Sequence, residues 1–193
     1  MKIVYRFLST SAIVFLLLQV SSCNNKSPNT NQPPITISPQ PNFDEQILGR
    51  WYGEYTYTDQ KQNVTISLKG TSEYFPNKRS NTDGEFSVSG TYEQKNITIT
   101  YNLQTTGTWL INKQDLTETT DDIKSSLKSI TYDGITLDRE KITDEEINKF
   151  PKPEDLIPRG ISSSSKILSL TSSQLQLEQS VEDQKVVVTY YKH

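Results

Sequence analysis

The reactive side chains of this 193-residue chain are few: one cysteine, Cys23, and one histidine, His193. With a single thiol and a histidine at the last position, expected to fray, neither a nucleophile–histidine pair nor a His/Cys zinc site can be assembled. No internal disulfide can form either. Carboxylates remain. Glu118, Asp121 and Asp122 fall in one segment, and Asp144, Glu145 and Glu146 in another. The first lacks the spacing and glycine of a calcium loop and reads as a solvated turn; the second reads as the start of a helix. Two carboxylates hydrolyse glycosides only at a set separation, which adjacency in sequence does not provide. These residue types point to no enzyme, no metal site and no cofactor.

The set with binding potential is aromatic. Trp51, Tyr55, Tyr57, Phe86, Tyr92, Tyr101 and Trp109, with Tyr190 near the end, alternate with polar neighbours and fall on faces expected to point inward. In a small barrel such side chains either fill the core or line a pocket with their polar tips. The pattern alone leaves both open, and these are the candidate ligand-binding residues.

Cys23 has a distinctive context. Lys2 and Arg6 form a positive N-terminal region, followed by an uncharged stretch that includes the unbroken apolar run Ala12–Leu18. The stretch is shorter than the ~20 residues a membrane-spanning helix needs and has the flanks of a signal peptide. Val20-Ser21-Ser22-Cys23 then resembles the lipobox of bacterial lipoproteins. That resemblance implies cleavage before Cys23, acylation of its thiol with diacylglycerol and often of the new amino group, with palmitate-type chains as the membrane-lipid partner. Two or three chains anchor stably where one does so only marginally. The residue after the cysteine is Asn24; an aspartate there would resemble an inner-membrane retention signal, so the outer membrane is favoured for a Gram-negative host. The expected location is the bacterial cell envelope.

The expected organisation is a signal peptide over 1–22, a tether over 23–42 and one β domain over 43–193. The tether carries Pro28, Pro33, Pro34, Pro39 and Pro41 among Asn, Gln, Ser and Thr. Such a composition cannot bury enough apolar area to offset its ordering entropy. Its reach is roughly 25 Å as a flexible coil and about 60 Å as polyproline. Removal of Lys2 and Arg6 leaves 18 basic against 23 acidic residues, net −5. Nucleic acid is therefore not an expected partner.

Beyond residue 43 the period is two. Val64/Ile66/Leu68 and Ile97/Ile99/Tyr101 alternate with Thr and Ser, Phe86 and Val88 share a face, Val186/Val188/Tyr190 alternate with Val187, Thr189 and Tyr191, and Trp51, Gly53, Tyr55 and Tyr57 share one face. Such segments suit a half-buried pleated surface. Strands are expected near 49–58, 62–69, 71–76, 85–93, 96–103, 106–112, 114–119, 128–132, 135–139, 166–171, 174–179 and 185–192. Some are halves of one bent strand, so eight to ten are expected. Asp83-Gly84 and Asp133-Gly134 read as hairpin turns. One helix is expected over 143–150, with Thr143 as N-cap, Glu146 completing a capping box and Ile147 and Phe150 facing inward. Irregular chain over 153–158 and flexible chain over 160–165 complete an excursion, 141–165, lying as a lid or belt across the sheet. The fold class is all-β: an antiparallel closed or half-open barrel with one short inserted helix.

Gly49-Arg50-Trp51, led by Ile47-Leu48, resembles the Gly-x-Trp opening of lipocalin and lipocalin-like domains, in which the tryptophan closes the barrel floor. Gly107-Thr108-Trp109 repeats the pattern, and Lys185–Tyr191 resembles the closing strand of lipocalin-like lipoproteins. The Thr-Asp-Tyr-type loop of lipocalins is absent. Where they carry an arginine that stacks on the first tryptophan, the last strand offers only Lys192. The resemblance implies a lipocalin-like barrel but not, by itself, ligand binding; one reading of the aromatic faces is a binding module for a small apolar or amphipathic ligand. The alternative from the same residues is an envelope interaction protein with a filled core that docks a protein partner.

Overall fold

The computed structural model describes residues 42–92, 94–147, 152–181 and 184–193, without the side chains of residues 92, 146, 156 and 181. Cys23, most of the tether, Phe150 and the Glu146 half of the capping box lie outside the described residues.

Eight antiparallel strands close into a barrel and a ninth extends it: β1 (Gly49–Asp59), β2 (Val64–Tyr74), β3 (Arg79–Tyr92), β4 (Lys95–Asn112), β5 (Asp115–Tyr132), β6 (Ile135–Asp138), β7 (Ser162–Leu170), β8 (Gln174–Val181) and β9 (Gln184–Lys192). The ring runs β1-β2-β3-β4-β5-β7-β8-β9 and back to β1, while β6 pairs only with β5. This is the up-and-down arrangement of lipocalin-like barrels. Closure removes the exposed sheet edges that invite aggregation.

The closing contacts are short and lie at one end. β1 meets β9 through Trp51↔Lys192, Tyr52↔Tyr191 and Gly53↔Tyr190. β5 meets β7 only over Asp115–Thr119. β4 and β5, of 18 residues each and so about 60 Å long, run far beyond that ring. Their upper halves carry β6 and the insertion. Register shifts at Thr100/Tyr101 and Thr106/Gly107 bend this long hairpin.

Several expectations are corrected. Asp83-Gly84 is not a turn: it lies inside β3, with Gly84 opposite Gly70. The β2–β3 turn is at Phe75–Lys78, where Lys78 takes φ 64°. A Cβ on Gly84 would sit 2.3 Å from the Lys69 carbonyl oxygen, so this glycine permits a close strand approach, a second use of glycine in β structure. Asp133 and Gly134 do form the β5–β6 turn, with φ 49° and 83°. Residues 120–127 are strand, and the expected halves 62–69/71–76, 96–103/106–112 and 114–119/128–132 each belong to one strand. Residues 162–165 open β7 in place of flexible chain.

Among the described residues three short α-helices, α1 (Phe43–Gln46), α2 (Asp144–Ile147) and α3 (Pro153–Leu156), and a 3-10 turn at Arg139–Lys141 accompany the barrel. α2 lies within the expected helix, its first turn closed by Ile147 N–H to the Thr143 carbonyl at 3.0 Å. α3 replaces the irregular segment. Pro153 starts it, and the Asp155 carboxylate accepts from the Lys152 backbone N–H at 3.1 Å.

The core has two parts. At the floor, Trp51, Tyr74, Trp109, Leu116, Ile167, Leu175 and Leu177 pack with Ile47 just after α1. Above it, Val64, Ile66, Phe86, Tyr101, Leu103, Ile123, Leu127 and Ile130 pack with Ile142 of the insertion, flanked by half-buried Leu68, Val88, Ile97, Ile99, Ile147 and Ile157.

Candidate functional site

The inward aromatic side chains are held in distinct ways. Trp51 is fully buried and its indole N–H donates to the Ile47 carbonyl at 2.6 Å. Trp109 is 2% exposed, and its indole N–H is shared by the Phe75 and Arg79 carbonyls at 3.2 and 3.0 Å. Both indoles thus have the polar partner that burial demands. Each also lies under a lysine: Lys78 Nζ is 3.8 Å from the Trp109 ring centre and Lys192 Nζ is 4.9 Å from that of Trp51. Lys192 occupies the stacking position that the lipocalin resemblance assigns to an arginine. His193 is tied down as well, its N–H donating to the Arg50 carbonyl at 2.9 Å and its ring meeting Tyr52 edge-on.

Phe86 and Tyr101 are buried in the upper core. Tyr55 and Tyr57 alternate inward along β1 and are half-buried. Tyr92 ends β3, and its side chain lies outside the described residues. The seven aromatic positions named from sequence therefore do not form one patch. Two belong to the floor, two to the upper core, and Tyr55 and Tyr57 lie above Trp51 on the same face of β1.

Three glycines lie side by side on β1, β2 and β3: Gly53 pairs with Gly70, and Gly70 with Gly84. On the other side Gly53 pairs with Tyr190, whose ring occupies the space that a Gly53 side chain would need: a Cβ there would be 2.3 Å from Tyr190 Cδ1. Polar atoms also lie among the apolar side chains of the interior. The Tyr74 hydroxyl donates to Glu118 Oε1 at 2.9 Å, and the Tyr74 ring meets Trp109 edge-on. The Tyr55 hydroxyl is buried and has no hydrogen-bond partner among the described residues.

Sequence reasoning placed Glu118 in a solvated acidic turn. It is a strand residue opposite Trp109, and its neighbours diverge from it: Asp121 pairs with Arg79 at 2.7 Å and Asp122 with Arg159 at 3.2 Å. The signal that could have found it was the alternation Leu116-x-Glu118, which continues the inward face of β5.

The electrostatics follow from burial. Desolvation lifts the Glu118 carboxyl above its ordinary range, opposed by the Tyr74 hydrogen bond. Burial pushes the Tyr55 hydroxyl up to about 12, with Tyr57 adding to it. Burial, then the Glu154 and Asp155 carboxylates, push Tyr101 to about 12. Tyr74 and Tyr190 are raised further, by burial first and then by the Glu118 charge. The interior phenols are therefore neutral donors at any physiological pH.

At the upper end the insertion is fastened to the barrel. The Glu154 carboxylate accepts from both the backbone N–H and the hydroxyl of Ser125 on β5. Tyr101, Leu127 and Ile147, with Ser125, Arg139 and Asp144, border a hollow of about 340 Å³ there. A larger concavity, about 750 Å³, lies on the outer face of β2–β5. It has Gly70 and Gly84 in its floor and Tyr52, Lys69, Asp83, Glu85, Asn102, Gln104 and Lys124 around them. Glu85 is bridged there by Lys69 and Lys128.

No protein-family model matches this chain, and no curated protein is significantly similar to it.

Proposed function

We propose that this protein is a lipid-anchored lipoprotein of the bacterial envelope whose barrel binds a small amphipathic ligand. The observation that carries the binding reading is the buried Tyr55 hydroxyl, which has no partner among the described residues. A buried polar group left unpaired costs about 1–3 kcal/mol, and native interiors resolve such groups with a water or a ligand atom. The ligand's polar end sits at the Tyr55 hydroxyl. Its apolar part follows the half-buried Leu68, Val88, Ile97 and Ile99 of the upper core toward the hollow below the insertion.

The anchor rests on Val20-Ser21-Ser22-Cys23 after the apolar run. Metabolic labelling with an alkyne analogue of palmitate tests it: the full chain takes the label and the Cys23→Ser variant does not. Native mass spectrometry of the full chain released from membranes tests the binding. A discrete added mass of lipid size supports it. A bare chain whose melting temperature is unmoved by any single-chain amphiphile sinks it.

A second reading has the outer β2–β5 concavity docking an envelope protein, and the size and mixed charge of that surface favour it. Photocrosslinkers placed at Asn102 and Lys124 in cells would capture one discrete partner if this reading holds, and only diffuse adducts if it does not.

A further inference from the structure

We propose that the outer concavity of β2–β5 binds a neutral, linear, β-1,4-linked glycan lying across the strands. The proposal is independent of an amphiphile inside the barrel, and it gives this surface a saccharide occupant in place of a protein.

The concavity, about 750 Å³, is bounded by two polar rows that the strand register sets side by side. One row runs Tyr52, Thr71, Asp83, Gln104, Lys124 from β1 to β5, each residue the direct partner of the next. The other runs Lys69, Glu85, Asn102, Ser126 from β2 to β5 in the same way. The rows stand two residues apart on each strand, about 7 Å, and the longer one crosses five strands over about 19 Å. Between them Gly70 and Gly84 give the floor only backbone. A Cβ at Gly70 would meet the Asp83 carbonyl oxygen at 2.5 Å, so the strands approach too closely there for a side chain. Register shifts at Thr100/Tyr101 and Thr106/Gly107 bracket the same stretch of β4, and such irregularities bend strands. The backbone thus builds the hollow, and the two rows are its walls.

The walls are rich in donors and acceptors and carry no net charge. Gln104 Nε2 donates to the Asp83 carboxylate at 2.9 Å, which leaves further acceptor positions on that carboxylate and the carbonyl of the amide. Glu85 is held between Lys69 and Lys128. Lys69, Lys124 and Lys128 balance Glu54, Asp83 and Glu85 on this face. Neither a polyanion nor a polycation meets a complementary field.

The shape selects among neutral occupants. A peptide that extends a sheet pairs with a free strand edge, but β2, β3 and β4 are paired on both sides along this stretch. A helix, about 10 Å across, is wider than the trough and finds no apolar stripe in it. A flat glycan is thin, carries hydroxyls on both edges to meet both walls, and has C–H faces that suit the ring of Tyr52 at the β1 end. Its sugar repeat is close to the strand spacing of about 4.8 Å, so about four sugars fill the trough.

Isothermal titration of the full chain in lipid nanodiscs tests this. The probes are cellotetraose, tetra-N-acetylchitotetraose, their disaccharides, an anionic guluronate tetramer and an extended Ser/Thr-rich peptide. At least one neutral tetramer is expected to bind about tenfold more tightly than its disaccharide, because it reaches more of both walls. The double variant Asp83→Ala/Gln104→Ala should weaken that tetramer about tenfold. Asn102→Trp, which fills the trough from the other wall, should weaken it as well and guards against a folding defect in the double variant. All three side chains are exposed, so the variants should melt with the wild type. Lys166→Ala, on β7 and outside the concavity, should leave binding unchanged. Binding of neither neutral tetramer, equal affinity for tetramer and disaccharide, binding that survives both trough variants, or tighter binding of the guluronate or the peptide overturns the inference. The amphiphile reading stands or falls separately, on the lipid mass carried by the purified chain.

Discussion

Tyr190 of β9 and Gly53 of β1 are direct cross-strand partners, and the tyrosine ring fills the place of the side chain that the glycine lacks. This pair is the innermost of the three that close the β1–β9 seam. Gly53→Ala would drive a methyl group into ring carbons at 2.3 Å. The expected cost is about 1–3 kcal/mol, typical of overpacking in a closed core. It is readable as a lower urea midpoint with unchanged slope. Combining it with Tyr190→Leu should recover part of the loss, whereas Tyr190→Phe, which keeps the ring, should recover none.

The Lys192–Trp51 contact predicts a graded series. Lys192→Arg should hold stability, because a guanidinium stacks on indole at least as well. Lys192→Met should lose about 0.5–1 kcal/mol, visible as a fall of roughly 2 °C in melting temperature. Equal melting of all three proteins would show that the cation contributes nothing to the floor.

Glu118 and Glu154 should move stability in opposite directions with pH. The folded-state carboxyl of Glu118 is raised by burial, so the folded chain holds that proton more tightly than the unfolded one. The resulting stabilisation is present at low pH and is lost as pH rises from the ordinary carboxylate range through the raised value. Glu118→Gln removes that loss and should be the more stable protein at neutral pH.

For Glu154, burial works upward, but the bonds from Ser125 and the nearby Lys152 charge outweigh it and hold the carboxyl below its ordinary range. Its contribution is present above that range and is lost as pH falls through the lowered value. Glu154→Gln should therefore flatten the acid limb of the stability curve. It should also make the chain near α3 more accessible to protease, since the ties to Ser125 weaken.

Tyr55→Phe offers a further test. In the ligand-free chain, removal of an unpartnered buried hydroxyl should stabilise by about 1 kcal/mol. With a saturating single-chain amphiphile the order should invert, because only tyrosine can bond to its polar end. Thermal unfolding with and without the probe measures both; a tyrosine that stabilises in the absence of any ligand would mean that its hydroxyl is already satisfied.

Period-two alternation was sufficient to place the inward face of β1, the two tryptophans and the Asp133-Gly134 turn, because each of these is dictated by neighbours within a few residues. What it could not show is set by distant partners. Gly84 reads locally as a turn residue, and only its pairing with Gly70 reveals it as strand. Glu118 reads as one of several surface acids until β4 and β7 flank it. The same holds for Lys192, which matches no arginine in sequence yet reaches the Trp51 face because β9 closes on β1 there. The candidate site was thus half visible: its aromatic part follows from composition and spacing, whereas the carboxylate and the glycine row arise from register.

Chain entry and exit share the floor. Lys192 Nζ reaches the carbonyl of Gln46 in α1, and the backbone of His193 is bonded to that of Arg50. The loops of the insertion lie at the far end. A reporter fused after His193 would sit beside α1, where the described chain begins, and leave the opposite pole unobstructed, so labelled versions of this protein can be built without touching the insertion. Tension applied between α1 and His193, conversely, would be borne first by the three-pair seam and its Trp51–Lys192 clasp, making the floor the part of the barrel that yields under load.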